Sequence, residues 1–288
     1  MNILVTGANG QVGRELQTLQ KAYSQLQFHF FSKEELNITD LASVEAVFKQ
    51  VEPDYCINCA AYTAVDKAET EKEAAFLINE IGTKNLALVS KHLGAKFIHI
   101  STDYVFDGNG SEPYREDHPV NPQNIYGESK LKGEEEALSV NPASMIIRTA
   151  WVYSEFGNNF VKTMLRLMQS KEEIGVVADQ QGSPTYAADL AKAILSIVIS
   201  GKWVPGIYHY SNEGVITWFD FAKAIQGYIQ SACRVNAIPT SAYPTPAKRP
   251  AYSVLNKEKI KTTFDITIPD WEESLHHCLN RLKETGAW

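Results

Sequence analysis

A glycine-rich turn near the start of the chain limits the possible folds more than any other feature. Residues 2–6 form an apolar run that predicts a β-strand, and residues 11–22 have helical spacing. Residues 7–13 join them in the pattern G-x-x-G-x-x-G. Small residues let a backbone approach a pyrophosphate, and a helix N-terminus offers unpaired N–H groups. The turn therefore predicts a dinucleotide cradle rather than a mere strand-to-helix connection. The residues of the predicted cradle are Gly7, Asn9, Gly10, Gln11, Val12 and Gly13.

Strand-like and helix-like segments alternate through the first half of the chain. Apolar runs that predict further strands lie at residues 28–31, 55–59, 96–101 and 145–149. Segments with helical character separate them, at residues 41–50, 74–92 and 123–138. Such alternation builds a parallel sheet with helices on both faces. We therefore expect an α/β fold, a Rossmann-type doubly wound parallel sheet with a smaller C-terminal substrate-binding lobe.

The alternation loosens after Ala150, and this change sets the expected domain boundary. Residues 1–150 would form the dinucleotide-binding domain, and parts of residues 175–235 would return to it. Residues 151–174 and 236–288 would form the substrate-binding lobe. Four of the twelve prolines lie between residues 238 and 250, so this stretch predicts a rigid loop.

Charge and cysteine content exclude several classes of protein. The 288 residues carry a formal charge of −7, which argues against nucleic acid or anionic lipid as the main partner. No apolar run approaches the roughly 20 residues of a membrane span, so we expect no membrane association. Four cysteines make no disulfide framework. Cys56 and Cys59 lie in a strand-like run and are expected on opposite faces as buried side chains. Together these features predict a cytoplasmic protein.

The end of the second predicted strand bears on the choice of nicotinamide cofactor. NAD-binding folds usually carry an acid there, about 20 residues after the glycine turn, for the ribose 2′-hydroxyl. This chain has Ser32 and Lys33, and Glu34 and Glu35 follow closely. Ser32 and Lys33 could meet a 2′-phosphate, although Lys33 could also be a solvated loop charge. We therefore expect NADP, with NAD as the alternative.

A tyrosine and a lysine four residues apart provide the predicted chemistry. Tyr126 and Lys130 would share one face of a helix. A free phenol has a pKa of about 10, and a neighbouring ammonium group would lower that pKa. Thr102 and Asp103 end the fourth strand, at the sheet edge where open α/β folds bind ligands. Taken alone, Tyr126 and Lys130 could be a pair on the surface of a helix, and Thr102 could be a strand-end cap. Together they predict a catalytic set of Thr102, Tyr126 and Lys130, with Asp103 as a ligand for a sugar hydroxyl.

Six segments resemble one known family. The chain is similar to the extended short-chain dehydrogenases/reductases and, within that group, to the dTDP-4-dehydrorhamnose reductase family. Residues 58–69 and 243–250 are much more specific than the glycine turn. The matching segments are residues 7–13, 58–69, 101–108, 126–130, 148–153 and 243–250.

The resemblance implies a set of cofactor contacts. Gly10, Gln11 and Val12 would meet the pyrophosphate. Asn37 and Ile38 would lie near the adenine. The loop predicted beside the nicotinamide contains Ala60, Ala61, Tyr62 and Thr63.

The resemblance also implies the reaction and its other residues. Tyr126 would donate a proton, and Lys130 would activate it and bind the ribose. Thr102, Asp103 and Trp151 would contact a nucleotide-sugar, and Arg249 its diphosphate. The implied function is NADPH-dependent reduction of dTDP-4-dehydro-β-L-rhamnose to dTDP-L-rhamnose, the last step of a pathway that supplies cell-surface polysaccharides.

Two departures from the family pattern affect these expectations. The family often has Asp where this chain has Asn37, and Asn can still bind an adenine amine. Some members hold magnesium through glutamates at a subunit interface. Glu15 fits one such position, but residues 186–188 offer no carboxylate for another. We therefore expect no metal. The sequence leaves open whether the chain forms a homodimer.

Three other functions remain to be weighed. A dehydratase of this group would carry Thr-Asp-Glu after the fourth strand, and here the third residue is Tyr104. A nucleotide-sugar 4-epimerase would keep its nicotinamide tightly bound and recycle it. A regulatory subunit of the same fold would bind a partner without catalysis, and the intact set of Thr102, Tyr126 and Lys130 argues against that.

Overall fold

The computed structural model describes residues 1–286, and all statements of number or absence below refer to that part of the chain. Strands and helices alternate from the first residues onward. The strands are β1 (Asn2–Thr6), β2 (Gln27–Phe31), β3 (Tyr55–Asn58), β4 (Lys96–Thr102), β5 (Met145–Thr149), β6 (Val152–Tyr153), β7 (Glu173–Val177), β8 (Gln181–Gly182), β9 (Thr185–Tyr186), β10 (Gly206–His209), β11 (Ile216–Thr217) and β12 (Arg234–Ile238). The α-helices are α1 (Gln11–Leu19), α2 (Leu41–Val51), α3 (Val65–Ala68), α4 (Lys72–Phe76), α5 (Thr83–Leu93), α6 (Ile125–Val140), α7 (Phe160–Ser170), α8 (Ala187–Ile199), α9 (Trp218–Ile229), α10 (Glu258–Phe264) and α11 (Trp271–Glu284).

Six parallel strands form the central sheet, in the order β10-β5-β4-β3-β1-β2. The chain adds β2 on one side of β1 and then continues with β3 on the other side. This reversal makes a switch point between β1 and β3, where a crevice opens at the carboxyl ends of the strands. The structure thus confirms the expected α/β fold with a doubly wound parallel sheet.

Apolar residues on both faces of the strands explain why helices cover the sheet on two sides. Ile3 and Val5 pack with α1 and α8 on one face. Leu4 lies on the other face, with Phe48 of α2 and Leu86 of α5. No helix among residues 1–286 has the length and apolar character needed to cross a membrane.

A second apolar cluster lies outside the sheet and gathers most of the C-terminal elements. It contains side chains of α7, β7, α9, β12 and α11. Within residues 175–235, α8 packs on the central sheet and β10 is an edge strand of that sheet, whereas α9 and the start of β12 belong to this second cluster.

The helix predicted over residues 74–92 is interrupted. The chain forms α4, then a π-helix over Leu77–Gly82, then α5. The extra residue in the π turn lets Asn79 face inward, where it is fully buried. Hydrophobic periodicity did not predict this turn, because one extra residue barely changes the spacing of apolar residues along the segment. The π-helix lies beside the candidate site, as such turns often do.

Candidate active site

The turn after β1 and the start of α1 form an open cradle. Gly10 is the N-cap of α1, and no side chain within residues 1–286 caps that helix end. The first N–H groups of α1 are therefore available to an anion, and the helix dipole adds partial positive charge. Gly7 has a φ of +66°, and a Cβ on it would lie 2.6 Å from the backbone nitrogen of Ala60. Glycine here lets the turn reach the loop after β3.

The predicted cradle residues present backbone rather than side chains. Asn9 and Gly10 are exposed, whereas Val12 is buried in the core between the sheet and α8. The Gln11 side chain donates to the carbonyl oxygen of Val152 at 3.3 Å. A diphosphate in the cradle would therefore meet N–H groups at the start of α1.

The Glu35 carboxylate lies at the end of β2, together with the predicted cation Lys33. The Ser32 N–H donates to Glu35 Oε2 at 2.8 Å, and this hydrogen bond lowers the pKa of the Glu35 carboxyl. The Lys33 side chain is 91% exposed, with its Nζ 3.8 Å from Glu34 Oε1. In the sequence Glu35 lies beyond the end of the strand. The sequence alone could not show that its side chain folds back to the Ser32 N–H.

The two residues predicted near the adenine are anchored to the fold. Asn37 Oδ1 accepts from the N–H and the hydroxyl of Thr39, at 3.2 and 2.9 Å. Ile38 is buried, and its carbonyl oxygen accepts from Asn85 Nδ2 of α5 at 3.0 Å. Both residues follow β2 and so lie on the same side of the switch point as the cradle.

One buried side chain fixes the loop that holds Ala60, Ala61, Tyr62 and Thr63. Asn79 in the π-helix accepts from the Tyr62 N–H at 2.8 Å and donates to the Tyr62 carbonyl oxygen at 3.1 Å. Its amide also donates to Ser129 Oγ of α6 at 2.9 Å. Asn79 therefore ties this loop to the helix that carries Tyr126. The sequence analysis missed Asn79.

Helix α6 brings Tyr126 to the end of β4. Asn124 caps the helix, because its Oδ1 accepts from the Gly127 N–H at 2.8 Å. The Thr102 side chain hydrogen-bonds the Tyr126 phenol. Thr102 also donates to Asp103 Oδ1 at 3.0 Å and accepts from the Tyr104 N–H at 3.3 Å. Thr102 is thus both a strand-end cap and a neighbour of the phenol.

The pKa values of Tyr126 and Lys130 differ from the expectation. Burial raises the pKa of Tyr126 to about 12, although the hydrogen bond with Thr102 lowers it. Burial lowers the pKa of Lys130 to about 8, while Glu134 and Cys59 act in the opposite direction. The Lys130 Nζ donates to the Ile100 carbonyl oxygen at 2.7 Å. The expectation that Lys130 depresses the Tyr126 pKa is not met, because burial dominates at the phenol and Lys130 is not among the groups that shift its pKa.

A buried ion pair holds α6 against β4 and β5. Arg148 of β5 bonds Glu134 of α6 through Nε at 2.9 Å and through Nη2 at 2.6 Å. Ser101 Oγ of β4 donates to the same carboxylate at 2.5 Å. The Arg148 and Glu134 side chains are only 3% and 2% exposed. These bonds fix the spacing between the strand that ends in Thr102 and the helix that carries Tyr126.

Two buried polar atoms beside Thr102 have no partner within residues 1–286. They are Asp103 Oδ2 and Ser253 Oγ, and the two side chains are neighbours. Burial raises the pKa of Asp103 to about 6. Unpaired buried polar atoms are costly, so these two atoms are suited to a ligand hydroxyl.

Trp151 follows β5, the parallel neighbour of β4, and so lies at the same sheet edge in a strained backbone conformation. Its φ is +47°, a region that non-glycine residues rarely adopt. Its ring stacks on Trp218 at the start of α9, with centroids 3.6 Å apart and planes 12° apart. Such strain costs about 1–3 kcal/mol and clusters at functional sites. The sequence analysis missed Trp218, which is distant in the chain.

Arg249 lies near Tyr104, which in turn packs against Tyr126. Its Nη2 lies 2.8 Å from Asp66 Oδ2, and its buried Nη1 has no partner in the described chain. Burial raises the pKa of Tyr104, and the nearby guanidinium acts in the opposite direction. The Tyr104 ring packs edge-on against Tyr126, with centroids 5.6 Å apart. The structure therefore places Arg249 near the predicted catalytic set, with one face paired and one nitrogen unpaired.

Glu15, which the resemblance aligns with a magnesium ligand of some family members, is bonded within the protein. Ser154 Oγ donates to Glu15 Oε1 at 2.6 Å, and burial raises the pKa of Glu15 to about 8. No group of three or more His, Cys, Asp or Glu side chains suited to a metal occurs among residues 1–286.

Comparison with known proteins decides the family. The family model for the RmlD substrate binding domain matches residues 1–284. The dTDP-4-dehydrorhamnose reductase of Aggregatibacter actinomycetemcomitans is 42% identical over 283 residues, which cover 95% of this chain and 96% of the relative. The chain belongs to the dTDP-4-dehydrorhamnose reductase family. This confirms the resemblance seen in the six sequence segments.

The chain is also similar to two other proteins. The spore coat polysaccharide biosynthesis protein SpsK of Bacillus subtilis is 45% identical over 279 residues, 96% of each chain. The Bacillus anthracis reductase was solved in complex with NADP. It superposes with a TM-score of 0.93 at 42% identity, covering 97% of this chain and 99% of its own.

Proposed function

We propose that this protein reduces dTDP-4-dehydro-β-L-rhamnose to dTDP-L-rhamnose with NADPH. The observation that carries the proposal is the meeting of two features at one sheet edge. The uncapped start of α1 lies at the carboxyl end of β1, and the Thr102–Tyr126 pair lies at the carboxyl end of β4. Membership of the reductase family supports the choice of substrate.

The cradle fits a dinucleotide. The start of α1 has no side-chain cap and no acidic residue in its first turn, so its N–H groups would hold the diphosphate. Ser32 and Lys33 would meet the ribose 2′-phosphate, and the NADP complex of the Bacillus anthracis relative supports that choice. NADPH supplies the hydride when it is bound. The residues proposed at the adenine and nicotinamide ends are Asn37, Ile38, Ala60, Ala61, Tyr62 and Thr63.

Tyr126 would donate the proton that completes the reduction. Its raised pKa of about 12 keeps the phenol protonated at neutral pH, so the group is ready to act as an acid. The proton would go to the C4 ketone oxygen of the sugar. Thr102 would hydrogen-bond that oxygen and hold it near the phenol. Lys130, as an ammonium group, would stabilise the tyrosinate that forms and bind the ribose. General acid catalysis of this kind contributes about 10²–10⁴-fold.

The sugar nucleotide would lie between the sheet edge and the C-terminal lobe. Asp103 offers an unpaired carboxylate oxygen to a sugar hydroxyl. Trp151 presents a large ring held by its stack on Trp218. Arg249 has an unpaired Nη1 for the diphosphate, and guanidinium binds phosphate in a bidentate manner. We also propose the cytoplasm as the place of action, which the four free cysteines favour.

Loss of NADPH absorbance tests the proposal, with enzymatically prepared dTDP-4-dehydrorhamnose as substrate. We expect turnover by the unmodified protein and a fall of about 100-fold or more in Tyr126→Phe. NADPH binding should be retained in that variant, because the ring stays in place. Tyr23→Phe is the matched control, since Tyr23 lies beyond the C-terminal end of α1, whereas the cradle is at the N-terminal end of that helix. Equal activity of the two variants would refute the role of Tyr126, and no turnover at all would refute the function.

A further inference from the structure

A row of buried polar side chains crosses the sheet beneath the candidate site. Thr6 of β1, Asn58 of β3, His99 of β4 and Lys130 of α6 are each no more than 1% exposed. The three strands are neighbours, and the register pairs Thr6 with Asn58 and Asn58 with His99. Such a row is costly unless every member is hydrogen-bonded in a consistent direction.

A backbone group fixes the direction of the row at Asn58. The Ala60 N–H lies 3.1 Å from Asn58 Oδ1. A backbone N–H can only donate, so the atom that faces it must be the amide oxygen. Thr6 Oγ1 donates to the same oxygen at 2.7 Å. The amide nitrogen therefore points the other way, to His99 Nδ1 at 3.0 Å.

This direction selects one tautomer of His99. The Asn58 amide nitrogen donates, so Nδ1 must accept and carry no proton. Burial and the nearby Lys130 hold the pKa of His99 well below its usual value, so the ring is neutral. A neutral imidazole with a bare Nδ1 carries its proton on Nε2. The Nε2–H faces Lys130 Nζ at 3.1 Å.

An ammonium group cannot accept that hydrogen bond, but a neutral amine can. A neutral Lys130 would accept from His99 Nε2–H while donating to the Ile100 carbonyl oxygen at 2.7 Å. A protonated Lys130 would keep the bond to Ile100 and must leave His99. We propose that His99, fixed as the Nε2–H tautomer by Asn58, is a positioning residue that sets where the Lys130 amine lies and when it is protonated. The inference rests on the role proposed above for Lys130.

Two other groups near Lys130 favour its ammonium form and so oppose the effect of His99. Glu134, one helical turn along α6, favours the ammonium form, and so does Cys59 after β3. Burial prevails and lowers the Lys130 pKa to about 8. The ammonium form is therefore lost as the pH rises through about 8, well below the usual range of a lysine. His99 contributes to this by offering a donor where an ammonium group needs an acceptor.

Nuclear magnetic resonance of the cofactor-free protein tests the tautomer directly. In protein labelled with ¹⁵N-histidine, ring nitrogen shifts distinguish Nε2–H from Nδ1–H, and His99→Gln assigns the signal by its loss. We expect the Nε2–H form throughout the neutral pH range. In Asn58→Asp, a carboxylate oxygen would face Nδ1, so we expect a proton on Nδ1. An Nδ1–H form in the unmodified protein would overturn the inference, and so would an unchanged tautomer in Asn58→Asp.

The second measurement is the Lys130 titration, followed through its ¹³Cε signal and assigned with Lys130→Met. In His99→Gln the amide can turn its oxygen toward Nζ, so we expect the Lys130 pKa to rise by about one unit or more. His92→Gln is the matched control, because His92 is exposed on α5, and it should leave the titration unchanged. An unchanged Lys130 pKa in His99→Gln would overturn the inference. If that variant fails to fold, the tautomer in the unmodified protein and in Asn58→Asp still decides.

Kinetics separate this inference from the proposed function. If Lys130 works as an ammonium group, the alkaline fall of kcat/KM should follow its pKa and move to higher pH in His99→Gln. The predicted tautomer in a protein without reductase activity would refute the function and leave the tautomer assignment intact. The wrong tautomer in an active reductase would refute only the role of His99.

Discussion

Replacement of Gly13 by alanine tests how closely α1 packs on the turn before it. The added methyl group would lie 2.4 Å from the Gly7 carbonyl oxygen and 2.9 Å from Ala8 Cα. Both are backbone atoms, which cannot rotate away as a flexible side chain can. Ordinary contact begins at 3.4 Å, so α1 must move by about 1 Å. Overpacking of this kind costs about 1–3 kcal/mol.

The cost can be converted into a change of melting temperature. Unfolding entropy is about 2.1 cal/mol/K per residue, or about 0.6 kcal/mol/K for a chain of 288 residues. Gly13→Ala should therefore lower Tm by about 2–5 °C. The same shift would misalign the N–H groups at the start of α1, where each charge-assisted hydrogen bond is worth about 1.5–3 kcal/mol. The Kd for NADPH should accordingly rise by about tenfold or more.

Gly227→Ala is the matched control, since nothing lies within 4 Å of a Cβ at that position in α9. Alanine is favoured over glycine inside a helix by about 0.5–1 kcal/mol, so this variant should melt slightly higher and bind NADPH normally. Thermal unfolding and fluorescence titration with NADPH give both quantities. A Gly13→Ala protein that matches the unmodified one in Tm and Kd would refute the argument from backbone contact.

Three further predictions address other parts of the account. Arg249→Ala should raise the KM for the nucleotide-sugar by about tenfold or more through loss of a charged hydrogen bond, with partial recovery in Arg249→Lys. An unchanged sugar KM in steady-state assays would place the diphosphate elsewhere. Glu134→Gln should lower the free energy of unfolding by about 3–5 kcal/mol in urea titrations, because it leaves the buried Arg148 charge uncompensated; a loss below about 1 kcal/mol would contradict this. Lys33→Ala should reduce the preference for NADPH over NADH about threefold, as expected for an exposed charge pair. An unchanged ratio of the two kcat/KM values would exclude contact of Lys33 with the 2′-phosphate.

Elements with a strong local signal were predictable from the sequence. The strand predicted at residues 145–149 matches β5, whose five residues are all buried. Its apolar start, at residues 145–147, is typical of a strand in a parallel sheet whose two faces are both covered by helices. The glycine turn was equally clear, since its spacing reflects backbone contacts within a few residues. The central sheet, its doubly wound form and the family followed from such local patterns.

Contacts between distant parts of the chain were not predictable. Asn79 bonds Tyr62 across 17 residues and Ser129 across 50 residues. Trp151 stacks on Trp218, which starts a helix in another part of the chain. Neither pairing leaves a periodic pattern, because a single polar or aromatic side chain finds its partner only after the elements have packed.

The electrostatics of the site were misjudged for a related reason. Spacing along a helix indicated that Tyr126 and Lys130 share a face, and from this an ammonium effect on the phenol was expected. Lys130 is buried and Tyr126 is half-buried, and desolvation favours the neutral form of each. The extent of burial depends on the whole fold, so sequence spacing alone could not give the balance.

Isotope transfer tests the central claim most directly. The protein would be incubated with dTDP-4-dehydrorhamnose and NADPH that carries deuterium at the transferred position of the nicotinamide. The account predicts dTDP-L-rhamnose with one deuterium at C4, and a proton from solvent on the C4 oxygen. Formation of the L-rhamnose product without deuterium at C4, or no product in a folded protein that binds NADPH, would contradict it.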